Sequence, residues 1–378
     1  NLWVYKGWRY KTQFRTISSV AISDLDPNYE GKEFIIPTKG SSRPGYFQSI
    51  HSDGTWMEGW PVITNRRVSP SSPAIADINN DGIKNIIMTS EDKIYVFNPD
   101  GTIIDGWPFE MPTTQSENWG VQGACPVEKI QERMFWSSPT IYDINNDGNK
   151  DIIVGTTILR NYCEIINGES FYRSSQRMGG RLHAFNHDGS TLEGWPIDIG
   201  SPIDVSPTVY DIDNDGYPEI ITGAGDQYAR DGNIYVFNYD GSVKFRIQLY
   251  NNYYMGASPT IVDLDGDGAV EIIAALTLSD GIGDIFVFDS NGNVRDDLNW
   301  PIRYIGGRSS PAIGNIDNDE ELEIIIGSDN GALPQDIGKG SLVYAFNHDG
   351  SLVDGWPTKY KGDVSSPIIG NIDSDNES

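Results

Sequence analysis

Residues 206–241 read SPTVYDIDNDGYPEIITGAGDQYARDGNIYVFNYDG, and the order of that phrase decides the fold. Ser206-Pro207 opens a short apolar run. An acidic loop follows from Asp211 to Glu219, and Ile220-Ile221 continues the chain as a second apolar run. Ile234-Tyr235-Val236-Phe237 is a third, closed by Asn238-Tyr239-Asp240-Gly241. β-Branched and aromatic residues dominate these runs, and Asp-Gly is a hairpin signal, so the phrase predicts short strands joined by tight turns.

The phrase returns at 258–292 and at 310–357, where it ends in Gly-Trp-Pro. Its prolines are Pro73, Pro139, Pro207, Pro259, Pro311 and Pro367, with a degenerate start at Val20. A unit recurring about every 50 to 70 residues signals a propeller or another repeat array. A four-stranded sheet cannot bury both faces alone, whereas sheets packed radially cover one another and leave only short edges. Near-continuous apolar strands such as Ile324-Ile325-Ile326 suit burial on both faces. The expectation is an all-β chain, a β-propeller of seven blades with four antiparallel strands each, forming one domain over 1–378. Repeats start near 17, 71, 137, 205, 257, 309 and 365. Residues 1–16 resemble the last two strands of a blade and 365–378 its first, so the two ends are expected to share one. That blade's second strand would lie beyond Ser378, so a longer chain is expected; a larger ring is the alternative.

Asp and Glu outnumber Lys and Arg by 54 to 27, a net charge of −27. Nucleic acid, which needs a basic face, is therefore not an expected partner. No apolar run approaches a membrane span. Excess carboxylate points to bound cations or a solvated acidic surface.

The acidic loops favour cations. Counted from the first acidic residue, oxygen-bearing side chains recur at positions 1, 3, 5 and 9. The sets are Asp77, Asn79, Asp81 and Asn85; Asp143, Asn145, Asp147 and Asp151; Asp211, Asp213, Asp215 and Glu219; Asp263, Asp265, Asp267 and Glu271; and Asn315, Asp317, Asp319 and Glu323. A degenerate first loop has Asp24, Asp26 and Asn28, with Glu33 displaced, and a last one is cut short at Asn371, Asp373 and Asp375. Hard oxygens in this number suit Ca²⁺, with a position-7 carbonyl as a further ligand and a position-6 glycine for the reversal. An EF-hand is excluded, because position 12 is Met88, Thr222 or Ala274 rather than Glu, and strands flank the loop. About five to seven structural Ca²⁺ ions are expected. Solvated Asp/Asn turns are the bland alternative, but the repetition in register argues against it.

The order Ser-Pro, D-x-[DN]-x-D-G, EII-x-G resembles the FG-GAP/VCBS-type repeats, which form propellers such as the head of integrin α subunits and many microbial surface proteins. The resemblance spans nearly the whole chain. It implies an extracellular, secreted or cell-surface protein that uses calcium in adhesion or ligand display. Fold alone fixes no activity.

Strand alternation puts the acidic loops and Asp-Gly turns on one face and two long insertions, at about 109–136 and 156–181, on the other. The insertions should be neighbours. They carry Cys125 and Cys163, a candidate disulfide, with two free thiols as the alternative. They also carry Trp119, Trp136, Arg160, Tyr162, Arg173 and Arg177, and Tyr253 and Tyr254 lie on the same face. This basic-aromatic set could hold an anionic glycan or a protein carboxylate; packing against the propeller is the alternative. The Gly-Trp-Pro tryptophans (Trp60, Trp107, Trp195, Trp356) and Trp300 read as packing between blades because they repeat. No catalytic constellation stands out: His51, His183, His187 and His348 lack zinc spacing, and no nucleophile-base pair is visible. A calcium-dependent polysaccharide lyase and a structural subunit of a surface layer or filament remain alternatives to an adhesin.

Overall fold

The computed structural model describes residues 16, 18–38, 45–64, 66–115, 128–166, 169–225, 232–249, 253–278, 282–317, 319, 321–328, 341–360 and 366–370. The chain falls into two compact units, 1–200 and 201–378. The strands form seven antiparallel sheets, six of four strands and one of five, and the single described helical turn is Asp296–Leu298.

In the second unit the opening phrase folds as it reads. Thr208–Tyr210, Glu219–Ala224, Asn233–Phe237 and Val243–Gln248 lie side by side in sequence order. The next sheet follows the same path through Thr260–Val262, Glu271–Thr277, Ile282–Phe288 and Ile302–Ile305, with Tyr254–Met255 added beside Glu271–Thr277. Ala312–Gly314, Glu323–Gly327, Ser341–Phe346 and Thr358–Tyr360 form the third. The first unit has three sheets of this kind, opening at Ala21–Ser23, Ala74–Ala76 and Thr140–Tyr142.

Every residue of the second strands Asn85–Thr89, Asp151–Gly155, Glu219–Ala224, Glu271–Thr277 and Glu323–Gly327 is buried. The core lies between successive sheets. Ile234 and Val236 pack with Ile272, Ala274 and Leu276, and Ile273, Ile285 and Val287 pack with Ile324 and Phe346. In the first unit Ile87, Ile94 and Val96 meet Ile152, Val154 and Phe185.

Two joints recur between neighbouring sheets. In the first, the backbone N–H of one Ser-Pro serine donates to the hydroxyl of the next: Ser206 to Ser258, Ser258 to Ser310, and Ser310 to Ser366, at 2.9–3.0 Å. Ser19 to Ser72 and Ser72 to Ser138 repeat it in the first unit. In the second, a Gly-Trp-Pro or Asn-Trp-Pro indole reaches the next sheet's Asp-Gly turn. Trp60 Nε1 donates to the Pro99 carbonyl at 2.7 Å, Trp107 to His187 at 2.9 Å and Trp300 to His348 at 3.0 Å. These indoles are buried, in keeping with the packing role read from their repetition. The approach is close enough that a Cβ on Gly59 or Gly106 would fall 1.7 or 1.8 Å from the carbonyl oxygen of Asp100 or Asp188.

The seventh sheet corrects an expectation. The insertions, read as loops, are strands: Thr113–Gln115, Glu128–Arg133, Thr157–Ile166 and Glu169–Gly179 form a four-stranded sheet. The insertions are neighbours, with Lys129 paired to Asn161 and Arg133 to Thr157. Ile166 pairs with Glu169 across Asn167-Gly168, a strong two-residue hairpin signal, and Thr157–Ile166 is rich in β-branched residues. The blade expected from both chain ends lies outside the described residues, apart from 366–370.

Candidate metal centres

Each acidic loop is closed by strand register. The position-9 residue is the first of the second strand and pairs with the last of the first strand: Ala76 with Asn85, Tyr142 with Asp151, Tyr210 with Glu219, Val262 with Glu271 and Gly314 with Glu323. These five residues are at most 2% exposed, although four are acids. One side-chain oxygen of each accepts the N–H of position 2. The distances are 3.3 Å from Ile78, 2.9 Å from Ile144, 3.0 Å from Ile212, 2.9 Å from Leu264 and 2.7 Å from Ile316.

The loop backbone shapes the rest. Position 1 grips the reversal: Asp77, Asp143, Asp211 and Asp263 each accept the N–H of the position-6 glycine at 2.8–2.9 Å. Position 5 accepts the N–H of position 7, as Asp147 does from Asn149 at 2.7 Å. Gly148 has φ +94°, which an L-residue rarely adopts, and Asn146 at position 4 is also left-handed at +57°. Asn80, Asn214 and Gly266 repeat that position-4 conformation. The Asn/Gly choice there had no role in the ligand reading; its signal is the tolerance of Asn for the left-handed region.

Three acids converge in three loops. Asp211, Asp213 and Glu219 bring one oxygen each to within 4.8 Å of one another, as do Asp263, Asp265 and Glu271, and Asp317, Asp319 and Glu323. Asn145 at position 3 makes the Asp143 loop less acidic, and Asn85 leaves the Asp77 loop with a neutral closing residue.

The closing acids differ in what meets their second oxygen. Glu219 Oε1 takes Lys244 Nζ at 2.8 Å, and Lys244 also pairs with Asp213. Glu271 pairs with Arg295, whose Nη2 lies 2.7 Å from Asp265 Oδ2. Asp151 Oδ1 and Glu323 Oε1 are buried and have no partner. Asp263 Oδ1 is also partnerless, because the Asp267 N–H turns to Asp265. Burial pushes Asp151 up to about 7 against the Ile144 hydrogen bond, with the charges of Asp147 and Asp143 adding to the rise. Burial also carries Glu271 to about 7, opposed by the Leu264 N–H and by Arg295. Glu219 and Glu323 rise for the same reason. A buried acid with a bare oxygen at the mouth of a carboxylate loop is the donor set a hard divalent cation completes.

The first loop departs from this pattern. Glu33 accepts from the N–H groups of Leu25 and Asp26, and His51 Nδ1 lies 3.1 Å from its Oε1. Asp26 lies 3.7 Å from His51 Nε2, and Asn28 donates its N–H to Asp26. Asn371, Asp373 and Asp375 lie outside the described residues.

Of the expected ligand-face residues, Arg160 and Arg177 stand on adjacent strands but on opposite faces, since Arg160 pairs with Gln176 and Arg177 with Leu159; Arg177 covers the Phe135 ring at 5.3 Å. Trp136 is 45% exposed. Tyr253 is buried and hydrogen-bonds Asp284, which Arg303 also grips at 2.9 Å; Tyr254 is half-buried. Trp119 and Cys125, hence the proposed disulfide, lie outside the described residues, as do the side chains of Tyr162, Cys163 and Arg173. A buried polar knot was not foreseen. Glu132 receives Thr156 Oγ1, Arg181 Nη1 at 3.0 Å and His183 Nε2. Among the described residues no helix is long and apolar enough to cross a membrane.

Residues 205–237 match the model of the FG-GAP repeat. No curated protein matches the chain. Among solved structures, BBS1N in complex with ARL6DN is similar at 13% identity, over 94% of this chain and 86% of that one, with a TM-score of 0.52. The V. cholerae biofilm matrix protein Bap1 matches at 12% identity over 96% and 83%, TM-score 0.47. The Dos1 propeller matches at 10% over 93% and 88%, TM-score 0.42. One blade thus matches an FG-GAP repeat, the other described blades repeat its strand order, and the likeness to solved structures is one of fold.

Proposed function

We propose that this propeller is an extracellular, secreted or cell-surface module for adhesion or ligand display, held in shape by Ca²⁺ in its acidic loops. The observation that carries the reading is the pair of buried, partnerless oxygens, Asp151 Oδ1 and Glu323 Oε1, at the closing position of preformed carboxylate loops. Positions 1, 3, 5 and 9, with the position-7 carbonyl, would hold the ion. Calcium there neutralises acids that burial otherwise penalises, which is a structural role. The display surface is the insertion sheet. Its strands Thr157–Ile166 and Glu169–Gly179 are the longest described, and Arg177 over the Phe135 ring, beside the exposed Trp136, suits an anionic glycan or a protein carboxylate.

An ion that binds only the folded state stabilises it, by about 2.7 kcal/mol at a hundredfold excess over Kd. The melting temperature should therefore rise from chelator to millimolar Ca²⁺ and not in matched Na⁺. An unchanged melting temperature would refute the structural role. Glycan-array binding lost in a Trp136→Ala, Arg177→Ala double variant tests the display surface.

A further inference from the structure

Lys244 and Arg295 occupy one place in the repeat. Phe237 pairs with Val243 and Phe288 with Val294, and the next residues are Lys244 and Arg295. The same pairing at Phe97–Ile103, Phe185–Thr191 and Phe346–Leu352 puts Ile104, Leu192 and Val353 there. Four of the five make the same backbone bond to the third strand, at 2.8–3.1 Å, from Ile104, Leu192, Arg295 and Val353. Three blades thus carry an aliphatic side chain where two carry a cation.

The cations reach the acids that would hold the metal. Lys244 bridges Asp213 and Glu219, and Arg295 bridges Asp265 and Glu271. Their side chains are 22% and 15% exposed, so both are largely packed into their loops. In the two blades with an aliphatic residue and an acidic closing position, the closing oxygen has no partner. Glu323 feels His348 only through space, and no ion pair reaches Asp151 among the described residues.

We propose that Lys244 and Arg295 are built-in substitutes for calcium, so that the acidic loops divide into two classes. The loops closed by Asp151 and Glu323 bind a divalent cation tightly. Those closed by Glu219 and Glu271 are held by their own side-chain cation and bind one weakly. This rests on the calcium reading above. Entry of a divalent ion at Glu219 or Glu271 is an exchange. The ammonium or guanidinium must give up its charge-assisted bonds and leave, since it would otherwise stand within a few ångströms of a like charge. At Asp151 and Glu323 the ion meets bare oxygens. The most acidic loops by sequence are therefore the weaker binders.

Equilibrium dialysis of the full chain against Ca²⁺ tests this, with thermal unfolding in EDTA as a second readout. Asp151→Asn and Glu323→Gln should each lose one tightly bound ion. Lys244→Met and Arg295→Met should each tighten one site by about tenfold or more, melt lower than wild type in EDTA and regain stability in Ca²⁺. Lys244→Gln and Arg295→Gln serve where a Met variant fails to fold, and should show the same gain. If the lysine and arginine variants leave every site unchanged while Glu323→Gln removes an ion, the division into classes is wrong and the calcium reading stands. If wild type and all variants bind no Ca²⁺, the calcium reading itself fails.

Discussion

Replacing Asp151 by Asn tests the energetics of the closing position. Asp151 is buried, accepts the Ile144 N–H with one oxygen and has nothing for the other. Its pKa near 7 in the metal-free protein lies about three units above the unfolded value. A raised native pKa means that between about pH 4 and 7 the native state holds a proton the unfolded chain has released. This group therefore destabilises the metal-free fold progressively as pH rises through that window. Each unit costs roughly 1.4 kcal/mol, about 4 kcal/mol in all. Asn cannot ionise, and the neighbouring blade shows that it fits. Asn85 accepts the Ile78 N–H at the same position and donates to Asn98, whose counterpart beside Asp151 is Asn186. Urea unfolding of both proteins in metal-free buffer should show equal stability near pH 4. The gap should open in favour of the variant up to pH 7 and be flat above it. In millimolar Ca²⁺ at pH 7.5 the order should invert. A gap that does not change with pH would refute the argument that a bare buried carboxylate is what the ion relieves.

The remaining predictions concern the scaffold. Trp107→Phe keeps the ring but not the bond to the His187 carbonyl, and should cost about 1 kcal/mol in chemical unfolding. Gly82 and Gly106 share φ +88°, but a Cβ at Gly82 meets nothing within 4 Å whereas one at Gly106 meets the Asp188 oxygen at 1.8 Å. Gly106→Ala should therefore be worse than Gly82→Ala by about 2 kcal/mol or more; equal losses would show that backbone strain alone decides. Burial acts to raise Glu132, but His183, Thr156 and Arg181 outweigh it and hold its pKa below the usual range. Its stabilisation is present above the unfolded carboxylate pKa and lost as pH falls through the lowered native value. Glu132→Gln should cost about 3 kcal/mol at neutral pH by removing the buried carboxylate shared by His183, Thr156 and Arg181, and should lack that acid-side loss in urea titrations from pH 7 to 3.

The strands and acidic loops were legible because their signals are local. Five [DN]-x-[DN]-x-D loops in register, each followed by an apolar run, leave little freedom in where the closing residue falls. The tryptophans were legible through repetition, although their carbonyl partners were not, since each lies on another repeat. Lys244 and Arg295 escaped notice because they stand 25 and 24 residues from the closing acids they meet. Only the repeats aligned through the Asp-Gly turn show a cation replacing Ile104, Leu192 and Val353. The hairpin after Thr157 was hidden differently. Asn167-Gly168 was in plain view, but the segment broke the repeat and was read as a loop for that reason. Glu132 and His183 are far apart in sequence and belong to different sheets, so nothing local ties them together.

The serine joint carries a further implication. Its parts, a hydroxyl that receives and an amide that gives, are the same at the five described joints, and Ser72, Ser258 and Ser310 each carry both. Such a coupling favours growth of a gene by copying units, since a new copy arrives already able to dock on either side. It also means that this joint does little to tell the right neighbour from a wrong one while the chain is folding. That discrimination falls to parts that vary from unit to unit, such as the aliphatic and aromatic side chains packed between sheets.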